Sequence, residues 1–258
     1  MALVKSISSR SNPQWQRLRK LANQPSAYRE QGDAWVEGEH LCGEAARLSC
    51  AVRCAVISES AWEQMHLRQL AQHADEILLV PDQMLAGVSS MNSAPPIAFV
   101  MPLPIMPGVD PVAPTVVLDR LQDAGNVGTI LRSAAAFGFK QVIALKGSAA
   151  LWSPKVLRAG MGAHFGLRLI EGCEPEALDT LAIPLLATSS HVADSIDSVE
   201  LPWPCGWVLG HEGQGLSADV SRRCGQVLKI AQPGGMESLN VAVAASVCLY
   251  ESSRQRQR

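Results

Sequence analysis

The stretch from Gln226 to Glu251 limits the possible folds more than any other part of the chain. An apolar run at 226–230 stops at a loop holding Gly234 and Gly235, and from Ser238 onward small and apolar residues follow with no charge before Glu251. The pattern predicts a strand, a tight loop and a buried helix over 241–249, with Ser238 as a capping residue. The two glycines would let the backbone turn with positive φ and be approached closely. Ala242, Ala244, Ala245 and Ser246 leave a smooth surface, so another element can lie against the helix at short distance. Such a helix has no solvated face. Its own sheet must cover one side, and a neighbouring segment or a second subunit the other.

The rest of the chain must supply that sheet. With 258 residues and 47% hydrophobic content there is enough material for two modest domains. No apolar run reaches eighteen residues, and the N-terminus lacks the apolar core of a signal peptide, so a soluble cytoplasmic protein is expected. The seven cysteines are odd in number and contain no C-x-x-C, and the six histidines are scattered. Reduced, mostly buried thiols are expected, with neither a disulfide framework nor a metal site.

Apolar and polar residues alternate between strand and helix patterns along the chain. Asn12 and Pro13 open a helix in which Trp15, Leu18 and Leu21 share one face, and Arg17, Arg19 and Lys20 lie on the other. A strand at 34–36, a helix at 39–48, a strand at 51–57, a helix at 61–71 and strands at 77–80 and 97–100 then predict a small α/β layer over residues 1–100. Seven prolines fall within 94–114, and a stiff linker is expected at 101–114. Beyond it, short continuous apolar runs at 115–118, 141–145, 185–188, 206–209 and 226–230 predict a parallel sheet covered on both faces. Ligand chemistry in such a domain, 115–258, belongs at the carboxyl ends of the strands.

Charge is uneven although the net value is only −2. Lys5, Arg10, Arg17, Arg19, Lys20 and Arg29 stand against Glu30 alone in the first thirty residues, and Arg254, Arg256 and Arg258 close the chain. These clusters read either as solvated surface with a frayed tail or as contacts to phosphate, with Arg17, Arg19 and Lys20 the candidate RNA-binding residues.

Three strand ends carry unusual loops. The first runs through Gly125, Asn126 and Gly128 into a helix with Arg132, stopped by Gly138; it has neither the G-x-G-x-x-G of a dinucleotide fold nor a P-loop ending. The second places Gly210, Gly213 and Gly215 around Glu212. The third is the stretch described first. Taken in order, Asn126-x-Gly128-x-x-x-Arg132, then Leu209-Gly210-x-Glu212-x-x-Gly215-Leu216, then Ile230 to Gly234 followed by Ser238-Leu239-Asn240-Val241-x-Val243-Ala244 resemble the three signature motifs of the SpoU/TrmH family of RNA ribose methyltransferases, in the SPOUT superfamily. The resemblance is strong over about 115–251. It is weaker over 1–100, where Ser11-Asn12 and Val36-Glu37-Gly38 are the best points of match to a ribosomal-protein-like substrate-binding domain.

That resemblance implies an S-adenosyl-L-methionine-dependent enzyme acting on a ribose 2′-hydroxyl, with ribosomal RNA the commoner target for this layout and transfer RNA open. It implies an α/β fold whose C-terminal parallel-sheet domain carries a trefoil knot, and a homodimer in which the first-motif arginine reaches the other subunit's site. Gly210, Ile230 and Leu239 match cofactor-binding positions, and Asn126, Arg132, Glu212, Ser238 and Asn240 the polar active-site set. Ala231-Gln232 stands where Pro-Met is usual, and Ala242 where serine is frequent. The chemistry agrees: a weakly acidic hydroxyl must be aligned and its oxygen stabilised as the proton leaves, and an arginine, always charged, is a poor base and a good partner for an alkoxide or phosphate. A ribosome-assembly factor without turnover and a nucleotide-cofactor oxidoreductase are the competing readings.

Overall fold

The computed structural model describes residues 2–89, 94–105, 108–235 and 238–257. These elements follow one another along the chain: β1 (Leu3–Ser6), α1 (Pro13–Asn23), α2 (Ala27–Gln31), β2 (Asp33–Glu37), α3 (Glu39–Arg47), β3 (Cys54–Ser58), α4 (Glu59–Trp62), α5 (Met65–Ala71), β4 (Glu76–Val80), α6 (Asp82–Ala86), β5 (Ile97–Pro102), β6 (Thr115–Asp119), α7 (Ala124–Ala136), β7 (Gln141–Leu145), α8 (Pro154–Gly160), β8 (Arg168–Cys173), β9 (Leu185–Thr188), β10 (Gly206–Gly210), α9 (Ala218–Ser221), β11 (Gln226–Leu228) and α10 (Val241–Arg256). Contacts divide the chain into two units, one running up to Ile105 and including Trp152–Phe165, the other comprising the remainder.

The first unit holds a five-stranded sheet ordered β1-β4-β3-β5-β2, in which β5 runs antiparallel to both its neighbours. Its α1 begins as the sequence requires: the Asn12 side chain accepts from the N–H groups of Gln14 and Trp15, Pro13 occupies the first helical position, and Trp15, Leu18 and Leu21 are buried. The expected helix at 61–71 is two short helices, and β1, α2 and α6 are additions. Residues 154–160 form a helix that packs with this unit, where Arg158 pairs with the buried Glu37 and Leu157 enters the core with Val36, Leu41 and Phe99. The expected linker begins two residues late, because β5 continues to Pro102, and its Met106 and Pro107 lie outside the described residues.

The second unit is a six-stranded, all-parallel sheet ordered β11-β9-β10-β6-β7-β8. The runs at 141–145 and 185–188 form strands with those bounds, and β8 is an edge strand that the apolar pattern misses. The two helices that follow the glycine loops, α7 and α10, lie side by side and parallel: Asn126 meets Asn240, the hydroxyls of Ser133 and Ser246 share a 2.7 Å hydrogen bond, and Phe137 meets Tyr250 edge to face at 5.7 Å. Both helices therefore start at the same end of the sheet, the carboxyl end of β6 and β10.

Helix α10 differs from expectation in two ways. Its cap is Asn240, whose side chain accepts from Ala242 and Val243 N–H, not Ser238. It also runs to Arg256, because Glu251, buried among its neighbours, is neutralised within the helix by Arg254 at 2.6 Å. Gln255 bonds the carbonyls of Ile196 and Val199, and Arg256 lies over the Trp203 ring at 4.8 Å. The basic tail up to Arg256 is thus ordered structure, occupied with its own chain. One face of α10 is sealed by Trp207, whose indole N–H donates to Ser252 Oγ at 2.8 Å with both residues buried. Ser252→Ala orphans that donor, a loss of about 1–3 kcal/mol against a helix-propensity gain of about 0.5 kcal/mol. A lower midpoint in urea unfolding is expected; an unchanged midpoint would show that the indole finds another partner.

All seven cysteines are free, and burial pushes the thiols of Cys54 and Cys248 up to about 12. No helix of the described residues is long and apolar enough to cross a membrane, and they contain no cluster of His, Cys, Asp and Glu that could hold a metal ion.

Candidate active site

The parallel register places Gly210 beside Asp119 at the carboxyl ends of the two central strands. From there the chain of β10 folds back on itself in a short hairpin, where His211 N–H donates to Gly215 O at 3.1 Å and Gly215 N–H to His211 O at 2.8 Å. The hairpin passes so close to β10 that a β-carbon on Gly210 would lie 2.5 Å from the Gly215 carbonyl carbon. Glycine at 210 is therefore required by the loop's packing on itself, a tighter reason than approach by a ligand. Of the two glycines of the third loop, Gly235 has positive φ, at 72°, and a β-carbon on either would meet nothing within 4 Å among the described residues.

Two residues outside the motif set clamp this hairpin to β6. Asp119, buried at the strand's end, accepts from Ser217 N–H at 2.6 Å and holds Arg120 Nε at 3.2 Å. Arg120, at a φ of 59°, donates to Gln214 Oε1 at 3.1 Å and to Gly215 O at 3.3 Å. A non-glycine residue in the left-handed region costs about 1 kcal/mol, and here two hydrogen bonds to the hairpin offset it. The sequence does carry a signal for the pair, an Asp-Arg directly past an apolar strand, where ligand loops of parallel sheets begin.

A polar relay joins all three loops. Asp123 caps α7 by accepting from Asn126 N–H at 2.7 Å, which sets Asn126 at the helix mouth. Asn126 Nδ2 then donates to Glu212 Oε1 at 3.1 Å, and its Oδ1 accepts from Asn240 Nδ2 at 3.1 Å. Asn240 Oδ1 is committed to the backbone N–H groups of Ala242 and Val243, at 2.9 and 3.3 Å. Backbone donors thus fix the Asn240 amide, Asn240 fixes the Asn126 amide, and Asn126 presents its N–H to Glu212 Oε1.

Beside the relay is a recess of about 400 Å³, walled by Val208, Leu209, Gly210, Leu216, Leu239 and Val241, with His211, Glu212, Ser238 and Asn240 at its polar side. Its size and mixed lining are those of a site for a small organic cofactor. Of the eight motif residues, Gly210, Glu212, Ser238, Leu239 and Asn240 line it, and Asn126 is tied to two of them. Ile230 lines a different recess with Ser190, Lys229 and Pro233. In that segment Gln232 Oε1 is buried without a hydrogen-bond partner among the described residues. Arg132 stands exposed on α7 outside the recess, with no hydrogen bond or ion pair among the described residues. In the first unit, Arg17 is engaged by Asp33 at 2.5 Å and Lys20 by Glu30 at 2.5 Å, which leaves Arg19 as the unpaired one of the three among the described residues.

Comparison with known proteins matches residues 113–250 to the SpoU rRNA Methylase family. A Synechocystis protein named as an uncharacterized tRNA/rRNA methyltransferase is 31% identical over 98% of this chain and 95% of its own. The 23S rRNA (guanosine-2′-O-)-methyltransferase RlmB of Nitrosomonas europaea is 33% identical over 58% of this chain and 60% of its own. Among solved structures, the SpoU methyltransferase AviRb of Streptomyces viridochromogenes, in complex with the cofactor AdoMet, superimposes with a TM-score of 0.87 at 25% identity over 95% of this chain and 98% of that one.

Proposed function

Because the chain belongs to the SpoU rRNA methylase family, we propose that the recess beside Glu212, Asn126 and Asn240 is where a ribose 2′-hydroxyl of ribosomal RNA is methylated. The protein is an S-adenosyl-L-methionine-dependent RNA (ribose-2′-O-)-methyltransferase. The observation that carries the site assignment is the relay, which binds three loops far apart in sequence into one polar edge of the recess.

The recess fits the cofactor. Val208, Leu209, Leu216, Leu239 and Val241 offer apolar walls, and in the recess that Ile230 lines the buried Gln232 oxygen has no hydrogen-bond partner among the described residues. When bound, S-adenosyl-L-methionine supplies a methyl group activated on a sulfonium. Around it, Gly210 and Leu239 shape the pocket, with Ile230 as a further cofactor residue by its motif position. Ser238 and Asn240 are placed to hydrogen-bond the incoming ribose, and Glu212 and Asn126 keep the hairpin and α10 in register. Arg132 stabilises the oxygen as it loses its proton, which a permanently charged guanidinium does without serving as base.

We infer a homodimer as the working form, supported by the exposed Leu239, Val243 and Tyr250 on and beside α10, an uncharged strip that a second copy would cover. The trefoil knot belongs to the same reading. It is supported by the path of the chain, since α10 packs on α7 and β10 although β11, which precedes it, is at the sheet's edge. The first unit is assigned to substrate RNA, and the enzyme to the cytoplasm.

The test is methyl transfer from labelled cofactor to deproteinised ribosomal RNA, with transfer RNA as the competing substrate that the Synechocystis relative's name suggests. A 2′-O-methyl blocks alkaline cleavage at its own nucleotide, so label should be recovered in alkali-resistant dinucleotides. Label in mononucleotides would move the reaction to a base, and absence of transfer to either RNA would leave a binding factor.

His211 gives a finer prediction. Its Nδ1 accepts from Gly213 N–H at 3.0 Å, a pin within the hairpin that an asparagine side chain reproduces, since asparagine bonds the N–H two residues on. His211→Ala should weaken cofactor binding by about 3–10-fold, the worth of one hydrogen bond, and His211→Asn by less than about 2-fold. Equal losses in calorimetric titration would show that the imidazole acts otherwise.

A further inference from the structure

We propose that Arg10 and Arg19, which both line a small recess next to α1, grip a phosphodiester of the substrate RNA; this rests on the RNA reading above. The recess is lined by Arg10, Trp15, Arg19, Met84, Gly87 and Val88 and measures about 110 Å³. That is the space of about four water molecules, enough for a phosphate group and too little for a nucleotide. Two of its lining residues are packed into the interior, Trp15 at 2% exposure and Met84 at 5%.

Charge selects these two arginines from the basic cluster. The other cations of the cluster are engaged: Lys5 has Glu76 at 2.6 Å, Arg17 has Asp33, Lys20 has Glu30, and Arg29 donates to the Tyr28 hydroxyl at 3.2 Å. The guanidinium groups of Arg10 and Arg19 have no hydrogen bond or ion pair among the described residues, and no carboxylate lines their recess. Asp82, which begins the helix carrying Met84, accepts from the Ser60 hydroxyl. Two guanidinium groups without a carboxylate at one recess leave it with uncompensated positive charge that an anion would neutralise. Each carries planar paired donors that match phosphate oxygens, so the site suits an anionic phosphodiester and disfavours a neutral ligand of the same size. The sequence connects them as well: Arg10 precedes the Ser11-Asn12 cap and Arg19 is two turns into the helix that this cap starts.

The experiment measures binding of labelled, deproteinised ribosomal RNA across a salt series for three proteins: wild type, Arg10→Ala/Arg19→Ala, and Arg17→Gln/Lys20→Gln. The first double variant should bind about 10–100-fold more weakly near 0.1 M salt, with the slope of log affinity against log salt shallower by about 1–2. Its thermal midpoint and its affinity for S-adenosyl-L-methionine should be those of wild type, because both side chains are exposed and unpaired. With labelled cofactor its KM for RNA should rise while kcat stays within about 3-fold, since saturating RNA restores occupancy. The second double variant should keep RNA affinity within about 3-fold, with an unchanged slope. Wild-type affinity in the first variant, or an equal loss in the second, overturns the assignment while wild-type methyl transfer leaves the proposed function standing. A wild-type protein that neither binds nor methylates the RNA overturns both.

Discussion

A Gly210→Ala variant is expected to fold and to lose S-adenosyl-L-methionine binding by about 100-fold or more, although it adds a single methyl group. That methyl would sit 2.5 Å from the Gly215 carbonyl carbon, 2.6 Å from Leu216 N and 2.7 Å from Gly215 O, all of them backbone atoms. Relief requires the hairpin to swing away from β10. The hairpin is held by its own two backbone hydrogen bonds, by the two bonds from Arg120 and by Asp119 on Ser217 N–H, so moving it disrupts several of these at once. At about 0.5–1.5 kcal/mol for each bond lost, and about 1–3 kcal/mol for forced overpacking, 100-fold is a modest expectation. Folding should survive, because Gly210 is the last residue of β10, and the buried Trp207, Val208 and Leu209 are untouched. Gly213→Ala is the control within the same hairpin: its nearest neighbour is the His211 ring at 3.9 Å and its φ is not positive, so affinity should stay within about 2-fold. Calorimetric titration of both variants decides the point. A folded Gly210→Ala protein with wild-type affinity would mean that the hairpin does not form the cofactor pocket.

What could be read in the chain and what could not divides along physical lines. The buried face of α1 and the strands at 141–145 and 185–188 are legible because burial writes an apolar pattern into the sequence, a period where one face is covered and a continuous run where both are. The edge strand β1, exposed at all four residues, writes none, and neither does the edge strand β8 over most of its length. Helix α8 is visible as a helix start, with Ser153 and Pro154, yet its membership of the first unit depends on Arg158 finding Glu37, a contact 121 residues away that no local pattern encodes. The site follows the same rule. The motifs named the three loops, but the relay itself needed the third dimension: Ser238 and Asn240 are equally able to cap a helix, and Asn240 does so while also bonding Asn126. For Asp119 and Arg120 the sequence marks the place, an Asp-Arg at the end of an apolar strand, but not the role, because clamping another loop and a left-handed backbone depend on contacts distant in the chain. Glu251 ended the predicted helix too early because a lone carboxylate after an apolar run looks like surface; paired with Arg254, it is interior.

The second large effect concerns Arg132, and it bears on the assembly. Arg132→Ala should keep cofactor affinity and lose nearly all turnover, whereas Leu239→Trp, which puts an indole into the recess that Leu239 lines, should lose both. Arg132 is six residues beyond Asn126, about 9 Å along α7 and about 240° around it, so it faces away from the relay of its own chain. It is exposed, lacks a partner among the described residues and does not line the recess, although the proposed reaction assigns it to the reacting oxygen by motif position and chemistry. A second copy meeting this one across the uncharged strip of Val243 and Tyr250 would bring such an arginine to a recess not its own. Two inactive variants can then rescue each other. If Arg132→Ala and Leu239→Trp chains are unfolded together and refolded at equal concentration, about half the dimers are mixed, and each mixed dimer has one site with both an intact recess and an arginine opposite it, so activity should approach about a quarter of wild type per total site. Were Arg132 to act within its own chain, every site in every pairing would lack either the arginine or the cofactor. The measurement is methyl transfer to RNA from labelled cofactor before and after co-refolding: recovery assigns Arg132 to its partner's site, and a mixture as inactive as its components assigns it to its own.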